Sequence, residues 1–122
     1  MNDLNELLRA LNALRMNALP EEYDIHAAVC EAFDRAGIAY VHEAKLAPRC
    51  RIDFLCGRIG LEVKKGKPPL RTLRTQLTRY AQTGALDTII VLTEQSVRLP
   101  ATISGIPVRA VSLNRLWGIA LP

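Results

Sequence analysis

The stretch that decides the fold is Arg51-Ile-Asp-Phe-Leu-Cys-Gly-Arg-Ile-Gly-Leu-Glu-Val-Lys64. Residues 51–56 and 59–64 are strand-like runs, and Gly57-Arg58 between them has the Gly-X form of a two-residue type II′ turn. That turn sets a register in which 56 lies opposite 59 and 53 opposite 62. Side chains alternate across a sheet, so the expected arrangement puts Ile52 and Phe54 on one face with Leu61 and Val63. Asp53, Glu62 and Lys64 then project from the other. Two carboxylates side by side in a sheet repel, and the pair costs stability unless a cation is shared between them. On this reading one face is core and the other is a site.

The rest of the composition bounds what can surround the hairpin. A chain of 122 residues, 49% of them hydrophobic, makes one domain able to bury a core. Residues 1–16 alternate leucines with polar and charged residues and lack the continuous apolar run of a signal peptide or membrane span. The expectation is a soluble, cytoplasmic protein with no membrane association. Cys30, Cys50 and Cys56 are odd in number and fit neither a disulfide framework nor a regular zinc spacing, so they read as small buried hydrophobes. His26 would add a fourth zinc-type ligand, but Cys30 lies on a helix and Cys56 is expected on the core face with Ile52.

The net charge of +4 is unevenly distributed. Up to Glu43 the chain holds three basic and eight acidic residues; from Lys45 to Arg79 it holds ten basic residues and two acidic ones, Asp53 and Glu62. Positive charge therefore surrounds the carboxylate pair. A basic strip of this kind is the electrostatic footprint of a polyanion such as nucleic acid. Arg51, Lys65, Lys67, Arg71, Arg74 and Arg79 are the candidate DNA-binding residues. Arg71 and Arg74 fall in the first turns of a helix, where cations oppose the helix dipole and phosphate is the natural compensation.

Outward from the hairpin the chain alternates helices and strands. Residues 3–15 form an amphipathic helix with Leu4, Leu7, Leu8, Leu11 and Leu14 at helical spacing and a capping box from Asp3 and Glu6. Residues 17–20 break it. A second helix spans about 21–35, with Gly37 as its C-cap and Ile25, Ala28, Val29, Ala32 and Phe33 as its apolar face. A strand at 38–44 precedes the hairpin, and a loop at 66–69 introduces a third helix, 70–83, closed by Gly84. Its inner stripe is Leu73, Leu77 and Tyr80. Residues 87–93 are too apolar for an edge and read as a central strand. Residues 106–111 form a last strand, and Ser112 caps a terminal turn through Trp117. The class is α/β (α+β), a mixed central sheet flanked by helices: an accessory helix (1–16), a core (21–93) and a C-terminal strand with a short helix (94–122). Because later elements already supply a core, part of the first helix's leucine stripe is left for a second subunit, and a homodimer is expected. Two basic clefts on one duplex would favour double-stranded or branched DNA.

Ile52-Asp53, an eight-residue gap, Glu62-Val63-Lys64, then a helix and a strand resemble the PD-(D/E)xK nuclease superfamily, whose common core is αβββαβ. The resemblance covers about 21–93. Gln76-Leu-Thr-Arg-Tyr80 is similar to the QxxxY motif of the branch that includes lambda exonuclease and the nuclease domains of recombination and CRISPR adaptation enzymes. Ile52 stands where the family pattern has proline, and the four cysteines that hold an iron-sulfur cluster in some relatives are absent. The resemblance implies a restriction-endonuclease-like core and a DNA nuclease of recombination, repair or phage DNA processing. It implies that the Val63 carbonyl completes a metal site, that Glu22 approaches the metal, and that Gln76 and Tyr80 flank the scissile strand.

The residues support the same chemistry on their own terms. Phosphodiester hydrolysis needs an activated water and neutralised charge on the phosphate, and two hard carboxylates, Asp53 and Glu62, suit Mg²⁺ or Mn²⁺. Lys64 would orient the attacking water and stabilise developing negative charge. Glu43 and His26 are further candidates, Glu43 alternatively pairing with Lys45. Other readings are a noncatalytic nucleic-acid-binding module, a structure-selective junction endonuclease working as a dimer, or a surface salt-bridge cluster of Asp53, Glu62 and Lys64, against which Arg51 would be the simpler partner for either acid.

Overall fold

Period-two burial along residues 50–56 and continuous burial along residues 60–63 and 89–93 build a sheet whose two faces are both covered. The computed structural model describes residues 3–14 and 22–113. The elements are α1 (Leu4–Asn12), α2 (Glu22–Ala36), β1 (Val41–Ala47), β2 (Cys50–Cys56), β3 (Ile59–Lys64), α3 (Leu70–Ala81), β4 (Thr88–Thr93), β5 (Thr102–Ile103) and β6 (Ile106–Ser112). They form a mixed six-stranded sheet in the order β1-β2-β3-β4-β6-β5. β1, β2 and β3 are antiparallel neighbours; β3, β4 and β6 run parallel. β4 is central, as its apolar run requires. The α+β class and the hairpin register, with Cys56 opposite Ile59, follow the sequence reading. The expected 17–20 break and the terminal turn with Trp117 lie outside the described residues.

Local chemistry sets the element ends. Asp3 and Glu6 close the anticipated capping box, the Glu6 amide donating to Asp3 Oδ1 at 2.9 Å and the Asp3 amide to Glu6 Oε1 at 3.1 Å. At the end of α2, Gly37 adopts φ +71° and the Ile38 amide donates to the Phe33 carbonyl. This stop motif consumes Ile38, so β1 begins at Val41 rather than at 38. The short β5 was not anticipated. Its marker is Ser104-Gly105, both at positive φ, a two-residue hairpin turn pairing Ile103 with Ile106.

Two corrections concern the core. Leu7, Leu11 and Leu14 are buried, and Leu4 and Leu8 pack against the same cluster as Val29, Phe33 and Leu61. The leucine stripe is satisfied within the chain, which removes the ground for assigning it to a second subunit. Nor is one sheet face a free site face. Phe54, Cys56, Leu61, Val63, Ile90 and Leu92 pack on the side of α2, whereas Cys50, Ile52, Ile89 and Val91 pack on the side of α3 with Leu73, Leu77 and Tyr80.

Ile52 and Phe54 therefore point to opposite faces, as do Ile52 and Cys56, contrary to simple alternation. The neighbouring strand switches at the same level: His42 pairs with Phe54 and stacks on it, while Ala44 pairs with Ile52 and lies in the α3-side cluster. Between them Glu43 takes φ +55°. Gly60 accommodates the switch, since a Cβ there would sit 2.5 Å from Ile52 Cδ1. Asp53 is the residue at which β2 changes face.

Candidate functional site

The β2–β3 ladder pairs Cys56 with Ile59, Leu55 with Gly60 and Phe54 with Leu61, and its paired positions stop there. At the next step side chains take over from the backbone. Asp53 Oδ2 accepts the Val63 amide at 2.7 Å, and the Asp53 amide faces Glu62 Oε1 at 3.4 Å. The expected opposition of 53 and 62 is present, but it is made through carboxylates inserted where the strands part.

Glu62 is only 2% exposed. Its Oε2 lies 3.1 Å from Lys64 Nζ, and its Oε1 lies 3.0 Å from the Tyr80 hydroxyl. Burial, then the charge of Asp53, pushes its carboxyl up to about 7, against the opposing pull of Lys64 and Tyr80. Tyr80 is held in turn by Gln76, whose Nε2 donates to the hydroxyl at 2.9 Å, and it also lies 3.0 Å from the Arg51 carbonyl. Burial and the adjacent Glu62 charge raise its own hydroxyl far above the ordinary tyrosine range. The four-residue spacing of Gln76 and Tyr80 thus sets Gln76 on the hydroxyl that contacts Glu62.

From the other side of the sheet α2 contributes His26, buried, with Nε2 3.6 Å from Asp53 Oδ2. His26 Nδ1 is 2.8 Å from His42 Nε2, and the His42 ring stacks on Phe54 at 4.7 Å. Sequence reasoning passed over His42. The available signal was its register position: opposite Phe54, one residue from Asp53. Because Asp53 sits at the face switch, its carboxylate is reached from α2, through His26, while its amide faces Glu62, which α3 contacts through Tyr80.

Asp53, Glu62, Lys64, Gln76 and Tyr80 are brought together as the sequence predicted. Val63 contributes its main chain, with its side chain in the core. Glu22 is the first residue of α2, one turn before His26; its side chain lies outside the described residues. Glu43 is exposed and forms no ion pair with Lys45 among the described residues. Arg51 is not the partner of either acid; Lys64 takes Glu62 and His26 faces Asp53.

Arg51, Lys65, Lys67, Arg71, Arg74 and Arg79 are all exposed. The first turn of α3 contains no acidic residue and its N-cap, Pro69, provides no side-chain cap, so Arg71 and Arg74 stand uncompensated at the positive end of the dipole. Arg58 is structural instead, bound to Asp87 at 2.9 Å and to the Gly84 carbonyl at 3.0 Å. The cysteines are free; Cys50 and Cys56 are buried, and burial raises the Cys56 thiol to about 11, which makes it inert.

Among the described residues no group of three or more His, Cys, Asp or Glu side chains is disposed as a metal cage. The paired carboxylates suit a hard cation of another kind, one held by one or two carboxylates and otherwise by water and phosphate oxygens, as Mg²⁺ usually is. No described helix is long and apolar enough to cross a membrane. Compared with known proteins, the chain matches no family model, no curated protein and no solved structure.

Proposed function

We propose that this protein is a divalent-metal-dependent DNA nuclease that hydrolyses phosphodiester bonds, in the cytoplasm, in the service of recombination, repair or phage DNA processing. The observation that carries the reading is a glutamate buried to 2% beside a second carboxylate, with a lysine 3.1 Å away. Such an arrangement costs stability in the isolated chain and contributes nothing to packing. It is accounted for by a task that needs concentrated negative charge with a cation to hand.

Asp53 and Glu62, with the Val63 carbonyl, would hold Mg²⁺ or Mn²⁺. The ion would supply charge neutralisation at the phosphate and a more acidic water. The chain's own residues do the rest. Asp53 is oriented by the Val63 amide, and Glu62 by Tyr80 and Gln76, so neither carboxylate must be reorganised when substrate arrives. Lys64, partly exposed beside Glu62, presents an ammonium to the water or to the charge developing on the phosphate. Glu22, the first residue of α2, would approach the metal. Arg51, Lys65, Lys67, Arg71, Arg74 and Arg79 would bind backbone phosphates of double-stranded or branched DNA. With the α1 leucines buried inside the chain, the reading does not depend on a homodimer.

The test is cleavage of end-labelled linear, circular and branched DNA with Mg²⁺ or Mn²⁺ and with chelator, using wild type, Asp53→Asn and Glu62→Gln. Metal-dependent cleavage lost in both variants is expected. Undiminished cleavage in chelator or in Asp53→Asn overturns the assignment, and DNA binding without cleavage leaves a noncatalytic binding module.

A further inference from the structure

Next to the carboxylate pair, Arg49, Cys50, Arg51, Gln76, Arg79 and Tyr80 line a cavity of about 100 Å³. Two of these residues, Arg49 and Arg79, bring guanidinium groups to this side of the sheet; Arg51, between the α3-side residues Cys50 and Ile52, contributes its main chain, and none of the six carries a carboxylate. Among the described residues, no ion pair involves Arg49, Arg51 or Arg79. Cations gathered around a small polar space repel one another unless an anion joins them. Guanidinium, a planar fork of donors, is suited to phosphate oxygens.

The cluster is built rather than incidental. Arg49 ends the turn between β1 and β2, where Ala47 pairs with Cys50, and takes a left-handed φ of +61° that arginine rarely adopts. Its carbonyl accepts Arg79 Nη2 at 3.2 Å, which ties the turn to α3 and fixes the Arg79 guanidinium beside the turn that carries Arg49. The space, open to solvent on one side, has room for a phosphate group. One wall is shared with the site, because Gln76 donates to the Tyr80 hydroxyl and that hydroxyl contacts Glu62.

We infer that this cavity is a phosphate subsite that seats the backbone phosphate next to the one cleaved, with Arg49 and Arg79 as its ligands. The inference rests on the nuclease reading for the identity of the phosphate, though not for the anion chemistry of the cavity. It adds Arg49 to the substrate-binding residues. It also implies that cleavage at any linkage requires a charged neighbour on the same strand.

Two measurements test it. In the first, inorganic phosphate is titrated into metal-free protein while thermal unfolding is followed. A stabilisation present in wild type and in Arg71→Ala but absent in Arg49→Gly and Arg79→Ala is expected. Glycine relieves the left-handed strain at 49 and keeps the turn folded. In the second, one methylphosphonate linkage is placed in an end-labelled duplex and cleavage is read position by position. The neutral linkage should suppress cleavage at the adjacent linkage about tenfold in wild type and have little further effect in Arg49→Gly. Cleavage with no neighbour effect, together with phosphate stabilisation unchanged in folded Arg49→Gly and Arg79→Ala, overturns the subsite while leaving the nuclease. Phosphate stabilisation lost in those variants without any cleavage by wild type keeps the anion site and overturns the nuclease reading.

Discussion

Replacing Glu62 by glutamine should make the metal-free protein more stable at alkaline pH and nearly indifferent at acid pH. The folded-state value of about 7 stands above the ordinary glutamate value of 4.5, raised first by burial and then by Asp53. Between those values the native protein binds more protons than the unfolded chain. The contribution is fully present below about pH 4.5, is lost as pH rises towards 7, and levels off beyond it. The gap between the two values corresponds to about 3 kcal/mol, of which about 2.5 falls between pH 5 and 8. For a domain of this size that is a melting-temperature difference of about 10 °C. The assay is urea or thermal unfolding of wild type and Glu62→Gln in chelator at both pH values. Glutamine keeps an acceptor for Tyr80, so the difference between the two slopes isolates the charge. Mg²⁺ should flatten the wild-type slope, since a bound cation favours the ionised form, and stabilise that protein by about 2.7 kcal/mol at a hundredfold excess over Kd. Glutamine should forfeit most of that gain. Identical pH slopes in the two proteins, or a variant less stable than wild type at pH 8, would refute the claim that Glu62 is held there at a cost.

Asp53→Asn should abolish cleavage yet keep the acceptor for the Val63 amide, and by removing a neighbouring charge it should lower the Glu62 carboxyl and shrink the pH slope of metal-free stability; an unchanged slope counts against coupling of the pair. Tyr80→Phe should cost about 1–2 kcal/mol in urea unfolding by removing the one hydroxyl proton that Glu62 and the Arg51 carbonyl share and the acceptor for Gln76, and should raise Glu62 further. Lys64→Ala should keep DNA binding and lose cleavage by orders of magnitude, whereas Arg71→Ala or Arg74→Ala should weaken binding and reduce the salt slope by about one; a Lys64 variant that behaves like the arginine variants places Lys64 in the binding strip. Leu11→Ala should cost about 2–5 kcal/mol of stability, because Leu11 is buried within the chain; a change in oligomeric mass with little loss of stability would return the stripe to a subunit interface.

The hairpin was legible because three independent signals agreed there: Gly57 at a turn, apolar alternation on both sides, and two acids isolated in a basic stretch. The capping box and the Gly37 stop were legible for a similar reason, each being local chemistry read within a few residues, whereas α3, read to 83 with Gly84 as its stop, ends at Ala81 with Gln82 as its cap. The face switch was not. Alternation assigns faces only while one side is polar, and in β2 both Ile52 and Phe54 are apolar and fully buried, one beneath each helical layer. His42 was lost with it, since its role depends on the pairing of β1 with Phe54, set by a strand that starts three residues later than expected. The leucine stripe misled in the opposite direction. Its spacing was read correctly, but the amount of core left for it to cover depended on how α2 sits on the sheet, a tertiary quantity that no local pattern carries.

The switch has a consequence for how the site is held. Had β2 kept simple alternation, with every second side chain on the same face, Asp53 would have shared the α3 face with Glu62, and α2 could not have touched it. Because both β1 and β2 change face at Glu43 and Asp53, the Asp53 carboxylate lies in the gap between strands, where α2 reaches it through His26 while α3 reaches the neighbouring Glu62 through Tyr80. His26, steadied by His42 at 2.8 Å, approaches from one side, while Tyr80 and Gln76 fix Glu62 on the other. The repulsion between Asp53 and Glu62 is thus resisted by three layers of structure rather than by one hairpin. That is what allows a buried pair of acids to persist without collapsing into a direct ion pair with Arg51. It also predicts an asymmetry. His42→Ala removes the partner of His26 Nδ1 and the ring stacked on Phe54, and should loosen Asp53 while leaving the Tyr80–Glu62 contact intact. The pH slope assigned above to Glu62 should then survive in His42→Ala, while stabilisation by Mg²⁺ weakens. If both were lost together, the two carboxylates would be held as one unit, and the division of labour between the two helical layers would be wrong.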